Sequence, residues 1–306
     1  MKFDFTYDPE KVAALDASVV FSGKYTDTPE LASIEIPEGI VEIAENAFRD
    51  FEHLRAITLP KSLRRISAAA FAGCKSLSRV ILPYGVEEIL DEAFSSCPSL
   101  TEIVLPDSVK RIGEGAFEGC ASLSRVKLSE SIVMIGASAF AYCFNLTHIV
   151  IPDSCVLVEF CAFANCFSLE SVKLSENMHL IDESTFEGCR SLSDIDLPTK
   201  LVKIGRRAFK GCSSLASLIL PVGTKAIGLD AFADCSGLTR LALPRELSDL
   251  EDEEVFEGCD SLADISFGGS EEEFSTLMRG KTLTLRRSDG SLFSPRLLFM
   301  NLKGKA

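Results

Sequence analysis

From residue 31 onward the apolar positions of this chain return every 23 residues. A leucine opens each unit, at Leu31, Leu54, Leu77, Leu100, Leu123, Leu146, Leu169, Leu192, Leu215 and Leu238, and one inserted residue moves the last start to Leu262. With that leucine as position 0, positions 3 and 5 are apolar in every unit, as in Ile103 and Leu105 or Ile195 and Leu197. Alternation over so short a run predicts a strand with one buried face. Position 6 is proline in eight units (Pro37, Pro60, Pro83, Pro106, Pro152, Pro198, Pro221, Pro244) and serine at Ser129 and Ser175. Proline cannot donate to a ladder, so pairing ends there. Positions 9 and 12 are apolar again, as in Val109 and Ile112. Glycine follows in Gly113, Gly136, Gly205 and Gly228, which predicts a turn with an unusual backbone conformation. Ala-Phe at positions 16 and 17 and Cys at 20 suit one turn of helix that presents Phe and Cys inward.

No unit can bury its apolar face alone. A repeat of this size therefore predicts a stack of coils around one continuous core, with the phenylalanines from Phe48 to Phe256 as its spine. The period falls within the range of about 20–29 residues of leucine-rich solenoids and below the roughly 33 of helix-pair repeats. The expected fold is a β-rich α/β solenoid. It is a curved, right-handed superhelix with a parallel concave sheet and short helical turns on the convex side. Eleven coils at about 4.8 Å per strand give a sheet about 50 Å long.

Three segments follow from this reading. Residues 1–30, with Phe3, Phe5, Tyr7, Val19, Val20 and Phe21, form an N-terminal cap built as a short hairpin or a degenerate repeat. Residues 31–269 form the solenoid, loosened by the insertion near 251–255. Residues 270–306 form a C-terminal cap. There Ser270 and Glu273 read as a capping box that starts a helix reaching about Met278 and stopping at Gly280. Asp289-Gly290 is a hairpin turn between 282–287 and 292–301.

The unit L-x-x-I-x-L-P-x-x-V-x-x-I-G-x-x-A-F-x-x-C resembles the BspA-like (Treponema pallidum type) leucine-rich repeat family over 31–269, and FGGSEEEF at 267–274 looks like its closing segment. The resemblance implies a non-catalytic protein that binds host or partner macromolecules by adhesion or recognition at a cell surface. The N-terminal stretch has scattered charges and no apolar core of a signal peptide, so the chain as given reads as cytoplasmic, with a surface or secreted location as the family alternative.

Charge narrows the partners. A net charge of −14 disfavours nucleic acid and anionic membranes, which both need a basic field. No apolar run reaches the ~18 residues of a membrane span, so no membrane insertion is expected. The segment 279–306 carries +6 of that −14, which leaves −20 on the rest of the chain. An alternative function follows from that asymmetry, namely an assembly module that contacts partners through its ends or its basic tail.

Nine of the eleven cysteines (Cys74, Cys97, Cys120, Cys143, Cys166, Cys189, Cys212, Cys235, Cys259) occupy position 20, which Phe51 fills in the first unit. Interchange with phenylalanine marks a buried apolar slot and favours structural thiols over disulfides or metal. One cysteine per coil is too few to enclose a metal ion, and no cofactor is expected. Cys155 takes apolar position 9 and reads as buried, while Cys161 sits at a variable position and is the candidate reactive thiol. His53 and His179 fall at variable positions, and Asp194 and Asp196 share a strand face without a pocket. The sequence shows no P-loop, dinucleotide fingerprint or nucleophilic triad, so the protein reads as not an enzyme. With no Trp and four Tyr, carbohydrate binding is disfavoured.

Function is sought where the repeat varies. Positions 2 and 4 form two outward ladders on the sheet. Their middle combines Ile81, Val104 and Val150 with Arg79, Arg125, Lys127, Lys173, Glu102 and His148. Apolar groups ringed by charge suit a protein partner, here one with an acidic segment. The competing reading is that β-branched residues serve strand propensity and the charges serve solubility. A monomer is expected.

Overall fold

A computed structural model describes residues 20–21, 32–250, 253–278 and 285–299. Over these residues the chain forms a parallel-sheet β-solenoid of about ten turns with almost no helix. Each turn contributes a face strand at positions 2–4, such as Ala56–Thr58, Glu102–Val104, Arg125–Lys127 and His148–Val150. In Ala56–Thr58 and His148–Val150 the middle residue is buried and its neighbours are exposed, as the alternation predicts. These strands pair in register one repeat apart, for example Glu102↔Arg125, Ile103↔Val126 and Val104↔Lys127. The hydrogen-bonded face breaks between Arg79–Val80 and Glu102–Val104, and again between Asp194–Asp196 and Ser217–Ile219.

A second parallel sheet runs along another wall. It is built from two-residue strands at positions 11 and 12, such as Arg111–Ile112, Met134–Ile135 and Leu157–Val158. The apolar residue at position 12 points inward, and Ile112 and Ile135 are fully buried. Val20–Phe21 pairs in parallel with Glu42–Ile43, so this sheet continues before the first coil. The remainder of the expected N-terminal cap lies outside the described residues.

The Ala-Phe-x-x-Cys segment is not a helical turn. It is a run of tight turns in which positions 15 and 19 take positive φ, as at Ser138 (53°), Tyr142 (61°), Gly115 (57°) and Gly119 (69°). The N–H groups of positions 15, 17 and 19 then point at the next coil. Gly115, Phe117 and Gly119 donate to the carbonyls of Ala137, Ala139 and Ala141 at 2.8, 2.8 and 2.9 Å. A helix would spend those donors within its own coil and leave neighbouring coils unbonded on this wall. The position-13 glycines also differ from expectation, because none has positive φ. They allow close approach: a Cβ on Gly113 would lie 2.5 Å from the Asp91 nitrogen and 2.6 Å from the Leu90 carbonyl carbon.

Between the walls lies one core. The ten phenylalanines from Phe48 to Phe256 stack face to face, for example Phe71–Phe94 at 5.1 Å and Phe117–Phe140 at 5.2 Å between centroids. Where serine replaces the proline, Ser129 and Ser175 are fully buried and their hydroxyls accept from the main-chain N–H of Ser131 and Asn177. In the last coil Glu253–Phe256 forms a 3₁₀ turn, and Phe256 still stacks on Phe232 at 6.0 Å.

The α-helix Glu271–Leu277 starts at Ser270 with a complete capping box, and Glu273 reaches back to the Ser270 N–H at 2.8 Å. Arg245 holds the same carboxylate. The backbone N–H of Ser270 and the Arg245 guanidinium together keep the Glu273 carboxyl below its ordinary range. Its expected stop at Gly280 lies outside the described residues. Among the described residues Leu285–Arg286 and Leu292–Phe293 form the antiparallel hairpin, and beyond Pro295 the chain crosses to the face sheet instead of continuing it to 301 as expected. There Arg296–Phe299 pairs in parallel with Asp264–Phe267. Pro295 has no N–H to extend the hairpin ladder, which ends the antiparallel run.

Candidate functional site

On the face strands, side chains at positions 3 and 5 enter the core, which forces positions 2 and 4 outward. The sequence-selected residues therefore share one surface. Arg79, Ile81, Val104, Arg125, Lys127, His148, Val150 and Lys173 are exposed, and Glu102 is partly so. Ile81, Val104 and Val150 are 65%, 46% and 58% exposed, so their β-branched side chains face solvent.

Register sets which of them meet. Arg125 lies between Glu102 and His148, and its guanidinium is 3.0 Å from the Glu102 carboxylate. The expected basic cluster is thus partly neutralised from within. His148 Nδ1 lies 2.7 Å from the Ser171 hydroxyl, and Nε2 lies 4.0 Å from the Glu170 carboxylate. Lys173 is flanked by Val150 and Asp196. Asp194 sits beside Ser171, and both aspartates stay exposed on the face.

Two depressions collect these side chains. The larger, about 550 Å³, is lined by Glu102, Val104, Arg125, Lys127, His148 and Val150. A second of about 270 Å³ brings Arg79 and Ile81 against Glu102 and Val104, at the break in the face sheet. Lys173 lines neither of these two depressions. The chemistry they offer is contact: aliphatic floors with cationic and imidazole donors at the rim. Among the described residues, no three His, Cys, Asp or Glu side chains converge to hold a metal ion.

Two surfaces were missed by sequence reasoning. A depression of about 360 Å³ at the far end of the face is lined by Ile219, Arg240, Asp264 and Leu298. Leu298 arrives from the tail strand, so no periodicity could reveal it. On the turn wall, Phe144 stacks on Phe167 at 4.9 Å and the Arg190 guanidinium lies 4.7 Å from the Phe167 ring. Their common repeat position, 21, was the available signal.

The position-20 cysteines are buried, and each thiol donates to a phenylalanine carbonyl of the preceding coil, as Cys120 does to Phe94 at 3.2 Å. Cys161 is less buried than the other ten. Partial burial and the carboxylates of Glu187, Glu183 and Asp182 push its thiol up, which lowers its thiolate fraction and argues against special reactivity. Among the described residues no helix is long and apolar enough to cross a membrane.

The repeat geometry has counterparts among known proteins. The BspA type Leucine rich repeat region, in six copies, matches residues 20–144, 87–199 and 133–263. No curated protein matches the chain. A leucine-rich repeat protein from Bacteroides ovatus shares the fold, with a TM-score of 0.51 at 24% identity over 88% of this chain and 84% of that one. A leucine-rich repeat protein of T. pallidum is 32% identical over 60% of this chain and 78% of its own, with a TM-score of 0.45. A leucine rich cell surface protein of Faecalibacterium prausnitzii is 23% identical over 85% and 92%, with a TM-score of 0.44. Matched to that repeat region from residue 20 to 263, the chain belongs to the BspA-type leucine-rich repeat family.

Proposed function

We propose that this protein is a non-catalytic protein–protein interaction module whose face sheet receives a partner with an acidic segment. The observation that carries the reading is the depression in which exposed Val104 and Val150 lie among Arg125, Lys127 and His148. Apolar side chains supply the area that leaves water, and the cations select the sign of the partner. The side chains stand on strands held in register by their neighbours, so little conformational entropy is lost on binding. Membership of the BspA-type leucine-rich repeat family is consistent with this role.

The test measures binding of a labelled peptide that alternates glutamate with leucine. The chain should bind it, and Arg125→Glu with Lys127→Glu should weaken binding at least about tenfold while leaving the melting temperature unchanged. Equal binding by the variant removes this face from the reading.

A further inference from the structure

Residues 131–152 contain no Asp, Glu, Lys or Arg, in a chain of which a quarter is charged. Between 153 and 169 only Asp153 and Glu159 break the pattern. These residues make up most of the coils that open at Leu123 and Leu146, the fifth and sixth. On the second sheet and its adjoining turn wall they expose Val133, Val156, Leu157 and Phe160, at 47%, 54%, 37% and 49%. Register places Leu157 beside Met134, and the Val156 N–H donates to Val133, so the patch is continuous across both coils.

The third and eighth coils, on either side of this band, carry opposite charges. The third coil presents Glu87 and Asp91 on this surface, and the eighth presents Lys203 and Arg206. The fourth presents Lys110, Arg111 and Glu114, and the seventh presents Glu183. Each pair of coils is equidistant from a point midway between the fifth and sixth. At about 4.8 Å per coil, the third and eighth lie roughly 12 Å from that point.

From this we infer that the band is the centre of an isologous contact with a second copy of the chain. In a two-fold contact every residue near the axis meets its own neighbourhood, so a charge there would face itself, whereas an apolar centre is self-complementary. Rotation about that midpoint carries the third coil of one copy onto the eighth of its partner, and the fourth onto the seventh. Glu87 and Asp91 then approach cations, while in the inner pair of coils Lys110 and Arg111 offset the meeting of Glu114 with Glu183. The opposed signs of the third and eighth coils, at equal distances from the centre, suit a two-fold contact better than a uniformly basic or acidic partner. The surface is separate from the depression at Arg125 and leaves that face open.

Sedimentation velocity on the full chain from ~1 to ~100 µM reads the result. We expect a concentration-dependent dimer. Val156→Arg, at an exposed position, should raise its dissociation constant at least about tenfold without changing the melting temperature. Arg206→Glu should also weaken it, and adding Asp91→Arg should restore it, because both occupy position 14 of their coils and face each other across the axis. Arg125→Glu with Lys127→Glu should dimerise like the parent, which separates this inference from the peptide-binding face. A chain that stays monomeric at ~100 µM overturns the proposal. So does a dimer indifferent to Val156→Arg, or a charge reversal that is not rescued.

Discussion

The Cys97 thiol donates to the main-chain carbonyl of Phe71 in the preceding coil, at 3.2 Å. That carbonyl also accepts the Cys74 N–H at 3.3 Å, from its own coil. One oxygen therefore joins two successive coils, and the arrangement repeats as far as Cys259 and Phe232 at 3.0 Å. The slot needs a side chain small enough for the core that also carries a weak donor, which cysteine satisfies. Phe51 fills it in the first coil, edge-on to Phe48.

Cys143→Ala should destabilise the protein by about 1–2 kcal/mol. It removes the bond to Phe117 and leaves a small void at a fully buried site. Urea unfolding at neutral pH measures this, and an unchanged midpoint would show the thiol to be a passive filler.

Stability should fall as pH rises above about 9. Burial pushes the Cys155 thiol up to about 11 and the Cys166 thiol up to about 12. In that window the unfolded chain has already lost thiol protons that the folded chain retains, so it binds fewer protons and is favoured by alkali. Below pH 9 both states keep these protons and the contribution is whole. Urea midpoints from pH 8 to 10.5 should decline, and the decline should be shallower in Cys155→Ala.

Phe140→Ala should cost about 3–5 kcal/mol, because its ring is fully buried between Phe117 at 5.2 Å and Phe163 at 5.5 Å. Coils contact only their neighbours, so a weak central coil uncouples the two halves. A second unfolding transition in the denaturation curve is the expected signature. A single cooperative transition at the parental midpoint would contradict it.

Gly136→Ala should destabilise more than Gly115→Ala, although only Gly115 has positive φ. A Cβ at 136 meets the main chain of Glu114 and Gly113 at 2.7 Å, which cannot yield without moving a coil. At 115 its nearest contact is the tip of the Glu118 side chain at 3.2 Å, which leaves about 1 kcal/mol of backbone strain. Thermal melts of the two variants give the order.

The candidate face was legible because positions 3 and 5 are apolar throughout, which sends positions 2 and 4 outward wherever such a strand forms. Partial neutralisation of Arg125 by Glu102 was not legible, since their meeting depends on the registration of two coils. Cys161 stood out as a variable position, yet its surroundings of carboxylates come from the next coil.

By itself the sequence determined the 23-residue coil, its inward positions, the phenylalanine spine and the capping box at Ser270, all of which follow from local periodicity and side-chain type. Tertiary structure alone decided the rest. The second sheet is made of two-residue strands, too short to show alternation. The turn wall takes left-handed residues at Ser138 and Tyr142 because its N–H groups must reach the next coil. The tail strand Arg296–Phe299 lies beside Asp264–Phe267 because an open sheet edge accepts it. Each of these depends on hydrogen bonds between segments about one coil or more apart, and no local pattern encodes such partners.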